Sequence, residues 1–270
     1  MCSFCCPVCS LPLEESERTY SCANAHSFDK AKSGYVNLLT HAANTHGNHG
    51  DNRDMVRARR DFLDKGFYAP LQQKIAALVQ KYLLPGGVLL DSGCGEGYYT
   101  AAAAKAAPQA TILGIDISKD AANLAAKRCK SAKIAVASAF HLPIADNSID
   151  MLLEVFSPYC ATEFDRVLKP GGIFLEVIPG ENHLFALKSA VYDEPYKNQV
   201  DKFERPGFTL LEVQSVSGEI RLTSQTDIQN LFLMTPYYYK TGKKEQARLA
   251  ALKTLVTEIE FFLPVYRKDA

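Results

Sequence analysis

Cys6, Cys9, Cys22 and His26 fall in the pattern C-x2-C-x12-C-x3-H, a metal-binding turn followed by a second half-site. "CPVC" suits a tight turn that aims two sulfurs at one ion. The polar stretch "EESERTY" reads as a hairpin that returns the other two ligands. Three thiolates and an imidazole make a closed tetrahedral shell, so the expected ion is a structural zinc with no open position for catalysis. So short a segment has too little apolar surface to fold alone, and the metal would stabilise it. Cys2 and Cys5 form a second, overlapping C-x2-C. We favour Cys6 and Cys9, because "CPVC" leads through "LPL" into the hairpin while residues 1–5 lie at a chain end prone to fray. Five of the eight cysteines lie in the first 22 residues, a clustering that suits metal better than the dispersed bridges of a secreted framework.

The second chemical signature is "VLLDSGCGEGYYT", residues 88–100. A buried strand, Val88–Leu90, runs into Asp91 and then into Gly93, Gly95 and Gly97, before a helix predicted over Thr100–Ala107. Glycines let a ligand approach the main chain, with the amino end of the helix behind it. The third glycine comes one residue earlier than in the dinucleotide fingerprint G-x-G-x-x-G. The next strand, "TILGIDIS", ends in Asp116, 19 positions after Gly97, where a doubly wound fold places an acid on a ribose. That much suits either NAD or an adenosyl cofactor. The third element narrows the choice. "IAVASAFHLPIADNSIDMLLEVFS" reads as a strand, a short polar turn "AFHLP" able to cover an adenine, and the strand "MLLEVF". A helix, "ATEFDRVL", and the turn "KPGG" then lead into another strand.

These groups need a scaffold, and 270 residues provide one large domain or a main domain with a small attachment. A 47% hydrophobic and 22% charged composition is that of a globular chain with a proper core. Lysine plus arginine number 30 and aspartate plus glutamate 30, so any polyanionic partner must be met by local patches. No apolar run approaches the roughly 18–20 residues of a bilayer span, and "MCSFCCPVC" lacks a signal sequence's basic start and apolar core. A cytoplasmic location with no membrane partner is expected. Residues 40–52, with His41, His46 and His49 among Gly and Asn, read as a hinge loop, with metal binding by the histidines as the alternative. Helices are predicted over Asp54–Leu63 and Leu71–Leu84. Arg53, Arg57 and Arg60 share a stripe of the first, either a solvated face or a phosphate-contacting surface. The expected fold is α/β, a doubly wound sheet, divided as a zinc module over 1–39, a linker and helix over 40–70, and a main domain over 71–270.

The ordered set D-x-G-x-G-x-G, an acid closing the next strand, "LP" with D-x-S-x-D, and "RVLKPGG" resembles the class I S-adenosylmethionine-dependent methyltransferases over roughly residues 85–215. The resemblance implies their Rossmann-like fold and an S-adenosyl-L-methionine cofactor. It gives Gly93, Gly95 and Gly97 the task of making room for the methionine portion, and Asp91 that of orienting the loop. Asp116 is expected on the ribose hydroxyls, and Ala139 and Phe140 on the adenine. With the cysteine module, "FDKAKSGYVNLL", "ARRDFLDKGFYAPL" and "PGENHLFALK" added, essentially the whole chain resembles the bacterial 23S ribosomal RNA guanine-N1 methyltransferases, the ribosomal methyltransferase A family. That family implies zinc on Cys6, Cys9, Cys22 and His26, and cofactor contacts from Tyr68, Gly95, Glu96 and His183. It also implies a zinc-ribbon-like module that helps recognise an RNA hairpin loop, and pairing as homodimers.

Such an enzyme must splay out its target base and remove the proton from guanine N1 before or during attack. Tyr98, Tyr99, Phe156, Tyr159 and Tyr237–Tyr239 are candidate stacking platforms, each otherwise a core or rim residue. Lys30, Lys32, Arg57, Arg59 and Arg60 are basic candidates near the module, with Lys240, Lys243 and Lys244 towards the carboxyl end. In "FSPY", residues 156–159, Ser157 replaces the Asn of the Asn-Pro-Pro-aromatic motif of some amine-directed methyltransferases, so that mechanism is not assigned. Glu154 is the candidate general base, with a helix-capping or ion-pairing role as the alternative. Two other functions share these motifs: methylation of a small, quinone-like molecule, and RNA binding without catalysis on a retained cofactor fold.

Overall fold

The computed structural model describes residues 4–39, 50–200 and 202–270. Cys2, His41, His46, His49 and most of the expected hinge lie outside the described residues. At the amino end, β1 (Glu14–Glu15), β2 (Thr19–Ser21) and β3 (Ser27–Asp29) form a small antiparallel sheet. The strand that follows, β4 (Val36–Asn37), leaves that sheet and joins the main one. Then come α1 (Arg53–Leu63), α2 (Ala69–Tyr82), β5 (Val88–Ser92), α3 (Tyr98–Ala106), β6 (Thr111–Asp116), α4 (Lys119–Arg128) and β7 (Lys133–Val136). The second half holds β8 (Ile149–Val155), α5 (Ala161–Val167), β9 (Leu168–Pro179), α6 (Phe185–Val191), β10 (Phe208–Leu222), α7 (Gln225–Leu233), α8 (Lys243–Ala251) and β11 (Leu255–Lys268).

The main sheet runs β10-β11-β9-β8-β5-β6-β7-β4, with β4 to β9 parallel and β11 antiparallel to both its neighbours. Every residue of β5 is buried, as expected of a central parallel strand covered on both faces. Leu89 and Leu153 face a cluster built with α2, α3, α6 and α7. Leu90, Leu152 and Phe174 face the other way, into a cluster that includes Phe4, Leu13 and Tyr20 of the amino-terminal module. That module is thus packed onto one face of the sheet. Two main-chain bonds fasten it: Cys5 N–H to Pro143 O at 2.7 Å and Leu38 N–H to Val136 O at 2.9 Å. No helix among the described residues is long and apolar enough to cross a membrane.

Several boundaries differ from the sequence expectation for local reasons. Helix α1 starts one residue early because Asn52 Oδ1 accepts from the main-chain N–H groups of Asp54 and Met55, both at 3.0 Å, a side-chain cap. Strand β5 continues through Asp91 and Ser92, which stay in register with Gly114 and Ile115 of β6. Helix α3 begins at Tyr98 because Gly97, at φ 86°, is its left-handed amino cap. A Cβ on Gly97 would stand 2.8 Å from Ala125 Cα in the backbone of α4. Gly97→Ala should therefore force α3 and α4 apart and lower the urea midpoint, costing about 1–3 kcal/mol from the backbone conformation alone.

Candidate active site

The carboxyl ends of β5, β6, β8 and β9 open onto a cleft of about 920 Å³. The chain builds the sheet outward from β5 in opposite directions, through β6 on one side and β8 on the other. Connections diverge at such a switch point and leave a crevice at the strand ends.

Gly93, Gly95 and Gly97 all hold positive φ, at 80°, 56° and 86°, but they do not share one task. Nothing lies within 4 Å of a Cβ built on Gly95, so its main chain is open to the cleft. A Cβ on Gly93 would meet Ser157 Cβ at 2.3 Å, and that serine donates through Oγ to Ser92 O at 2.6 Å. Gly97 faces α4. A side chain at Gly93 or Gly97 would strike the protein's own packing, so of the three only Gly95 has nothing within 4 Å of an added Cβ. Asp116 straps the loop in place, accepting Gly95 N–H on Oδ2 at 2.9 Å and Ser118 N–H on Oδ1 at 2.8 Å. A carboxylate has about four acceptor positions, so two remain for hydroxyl groups.

Asp91 is 1% exposed and accepts the Thr100 hydroxyl at 2.5 Å. Burial pushes its carboxyl up to about 7, with the charges of Asp116 and Glu96 adding to the effect. Glu96 is also buried, its Oε1 is without a hydrogen-bond partner among the described residues, and burial raises its carboxyl. An orphaned oxygen on a cleft-lining acid marks a place where a polar ligand group would bind. The Arg59 guanidinium opposes the burial effect on Glu96. Arg59, expected among RNA-facing basic residues, instead lines the cleft, paired with Asp51 and donating to Met234 O at 3.3 Å.

Tyr68 and His183, far apart in sequence, meet in the same cleft. His183 Nδ1 accepts the Glu260 main-chain N–H at 3.3 Å, and Nε2 lies 3.4 Å from the Tyr68 hydroxyl. An amide can only donate, so the neutral imidazole carries its proton on Nε2 and the Tyr68 oxygen accepts it. Burial, aided by the Lys188 charge, drives His183 down to about 3 and keeps it neutral. The Tyr68 hydroxyl hydrogen is left to point elsewhere. Ala139 and Phe140 lie at the rim, where Phe140 is 61% exposed.

On the opposite side, Glu154 is buried and accepts the Ser157 main-chain N–H. Burial, and then the neighbouring Glu176 charge, push it up to about 8. Of the expected aromatic platforms, Tyr98 and Tyr99 belong to the apolar core, and Tyr159 packs against Phe164 and Phe174. Phe156 and Tyr239 remain exposed at the cleft. The sequence patterns gave no role to Tyr196 or Lys188. The buried Lys188 ammonium donates to Asn198 Oδ1 at 2.6 Å and Tyr196 O at 3.1 Å, lies over the rings of Tyr196 and Tyr237, and so fixes one cleft wall. Only the "PGENHLFALK" motif signalled that lysine.

In the amino-terminal module, ligand atoms of Cys6, Cys9, Cys22 and His26 all lie within 4.8 Å of one another. Cys9 and Cys22 sulfurs are 3.6 Å apart, and His26 Nδ1 is 3.5 Å from Cys6 and 3.4 Å from Cys22. Zinc–sulfur bonds of ~2.3 Å put tetrahedral ligands roughly 3.7 Å apart, so the donor set fits that ion. Cys5 is buried but is not part of the cluster.

Family models match the chain twice: an RlmA amino-terminal zinc ribbon at residues 4–42 and a methyltransferase domain at residues 83–235. A 23S rRNA (guanine(748)-N(1))-methyltransferase of Streptomyces fradiae is 39% identical over 189 residues, covering 69% of this chain and 66% of the relative. YxjB of Bacillus subtilis, named for 23S rRNA guanine-N1 methylation, is 32% identical over 263 residues, covering 93% of this chain and 92% of the relative. The solved YcgJ protein of Bacillus subtilis shares the fold at a TM-score of 0.54 and 17% identity, covering 73% of this chain and 99% of that one. Ribbon, glycine loop and near full-length similarity agree: the chain belongs to the 23S rRNA guanine-N1 methyltransferase family.

Proposed function

We propose that this protein transfers a methyl group from S-adenosylmethionine to N1 of a guanine in a hairpin loop of 23S rRNA. The observation that carries the RNA acceptor is the ribbon itself. A ribbon of the RlmA type is packed onto the same sheet face from which Glu154 projects, and the similarity to YxjB runs through both parts. A small-molecule methyltransferase would leave the ribbon without a task, and the demethylmenaquinone methyltransferase of Symbiobacterium thermophilum aligns with only 36% of this chain.

When bound, the cofactor supplies an electrophilic methyl group on a positively charged sulfur. The acid-lined cleft suits that charge, with Asp91, Glu96 and Asp116 around Gly95. Gly95 offers bare main chain, Asp116 offers its two remaining acceptor positions to ribose hydroxyls, and Ala139 and Phe140 flank the adenine side. Tyr68, held by His183, presents a hydroxyl donor, and Glu96 Oε1 accepts a polar hydrogen. Glu154 takes the proton from guanine N1 as the nitrogen bonds to the methyl carbon. The bound cofactor would supply the methyl carbon, its sulfur keeping the electron pair of the carbon–sulfur bond.

Incubation with labelled methyl donor and 23S hairpin fragments should label a guanine at N1, mapped by mass spectrometry; transfer to a small acceptor with RNA left unlabelled would refute the assignment. Glu154 acts as a base only when ionised, so kcat/KM should climb with pH through a midpoint near 8, the value to which its carboxyl is raised, and level off above it. Glu154→Gln should lose about 10²–10⁴-fold in kcat with cofactor affinity retained by calorimetry. The same raised value carries a stability signature. The contribution of the neutral acid is fully present below the ordinary carboxylate range and is lost progressively as pH rises from there to about 8. Glu154→Gln should abolish this loss in denaturant titrations.

One zinc per chain is expected on Cys6, Cys9, Cys22 and His26. Zinc ions stabilise comparable small modules by roughly 10–16 kcal/mol, so Cys22→Ser should lose the metal and expose residues 4–39 to proteolysis. The variant should keep cofactor binding in the cleft and lose RNA methylation, measured by metal analysis, calorimetry and labelled transfer.

A further inference from the structure

Glu154 has a neighbour of its own sign. Glu176 on β9 is in register with Glu154 on β8, so both side chains leave the sheet on one face, a strand spacing of about 4.8 Å apart. Both are 2% exposed and both line the cleft. Two carboxylates so close and so dry resist ionising together.

Their surroundings decide which one is charged. Glu176 Oε1 accepts from Arg205 Nη2 at 2.7 Å, and Oε2 accepts the Tyr266 hydroxyl at 3.3 Å. The Arg205 guanidinium also lies over the Tyr159 ring at 5.2 Å, in the turn that follows β8. Glu154 receives the Ser157 N–H. From β5 its in-register neighbour is Ser92, while Asp91 alternates to the other face. Among the described residues, Arg205 from the segment before β10, Tyr266 from β11 and Tyr159 are the other charged or titratable groups packed against the pair. The permanent charge therefore belongs to Glu176 and the exchangeable proton to Glu154.

Resting on the guanine-N1 assignment, we propose that Glu176 is a positioning residue for methyl transfer: its carboxylate, anchored by Arg205 and Tyr266, holds a fixed negative charge beside Glu154 and makes that acid a stronger base. The chemistry gives the device a purpose. An ordinary carboxylate is a poor match for the weakly acidic N1–H of guanine, and proton transfer is fastest when donor and acceptor are matched near the working pH. In the balanced step, the N1–H proton moves to the Glu154 carboxylate while the N1–carbon bond forms and the carbon–sulfur bond breaks. Glu176 keeps its charge throughout and touches neither substrate.

The test is the pH dependence of kcat/KM for a 23S hairpin fragment in wild type, Glu176→Gln and Glu176→Asp. Glu176→Gln removes the negative charge beside Glu154, so the rising limb should move down by about 1–2 pH units and its plateau should fall as the base weakens. Cofactor affinity should stay as in wild type, and Glu176→Asp should restore much of the original limb. A folded, cofactor-binding Glu176→Gln variant with an unmoved limb would overturn the proposal. If that variant does not fold, 13C-carboxyl NMR of glutamate-labelled wild type decides. One cleft carboxyl, absent from Glu154→Gln spectra, should keep its proton to about pH 8; its titration in the ordinary carboxylate range sinks the idea. Full transfer by Glu154→Gln would defeat the assignment of the base itself. An inactive Glu154→Gln together with an unshifted Glu176→Gln would defeat only the role given to Glu176.

Discussion

Asp116 ties the glycine loop to the start of α4, one carboxylate oxygen taking Gly95 N–H and the other Ser118 N–H. Those two bonds fix where the main chain passes between β5 and α3, and so fix the only glycine of the three that faces open space. The strap works because Asp116 ends β6 in register beside the end of β5. A side chain one strand away can reach the loop only where parallel strands finish level. The neighbouring glycines serve the same end from behind, by letting Ser157 and α4 close on the loop.

Acid accumulates around this point, although the chain as a whole is electrically neutral. Asp91, Glu96, Asp116, Glu154 and Glu176 all line one cleft, answered on the protein side by Arg59 and Arg205. Burial raises the first four, so the cleft is costly to ionise fully and favours a cationic occupant. His183 behaves in the opposite sense, kept neutral so that it can fix the Tyr68 hydroxyl without adding a positive charge.

The ribbon is part of this arrangement. Its apolar residues share a cluster with the sheet face beneath Glu154 and Glu176, and its strand β4 extends the sheet past β7. A module with so little core of its own gains stability from being packed down, and the sheet gains a cover over an edge that would otherwise present unpaired backbone groups.

Local spacing in the sequence was enough to locate the four metal-ligand candidates, the glycine loop, Asp91 and Asp116, because turns and strand ends are encoded by neighbours a few residues apart. The alternation of apolar strands with helices likewise made the doubly wound sheet legible. Which face a side chain takes is another matter. Arg59 looked like a surface cation and turned into the cleft to meet Asp51. Gly93 lines the cleft as its motif suggested, and the absence of a side chain there also admits Ser157. Glu176, Arg205 and Tyr266 gave no local signal, since β9, the segment before β10 and β11 meet only through the strand order, which inserts the last strand between two earlier ones. Sequence fixes short-range geometry through backbone preferences, whereas the pairing of distant charges is decided by register across the sheet, and register exists only once the chain has folded.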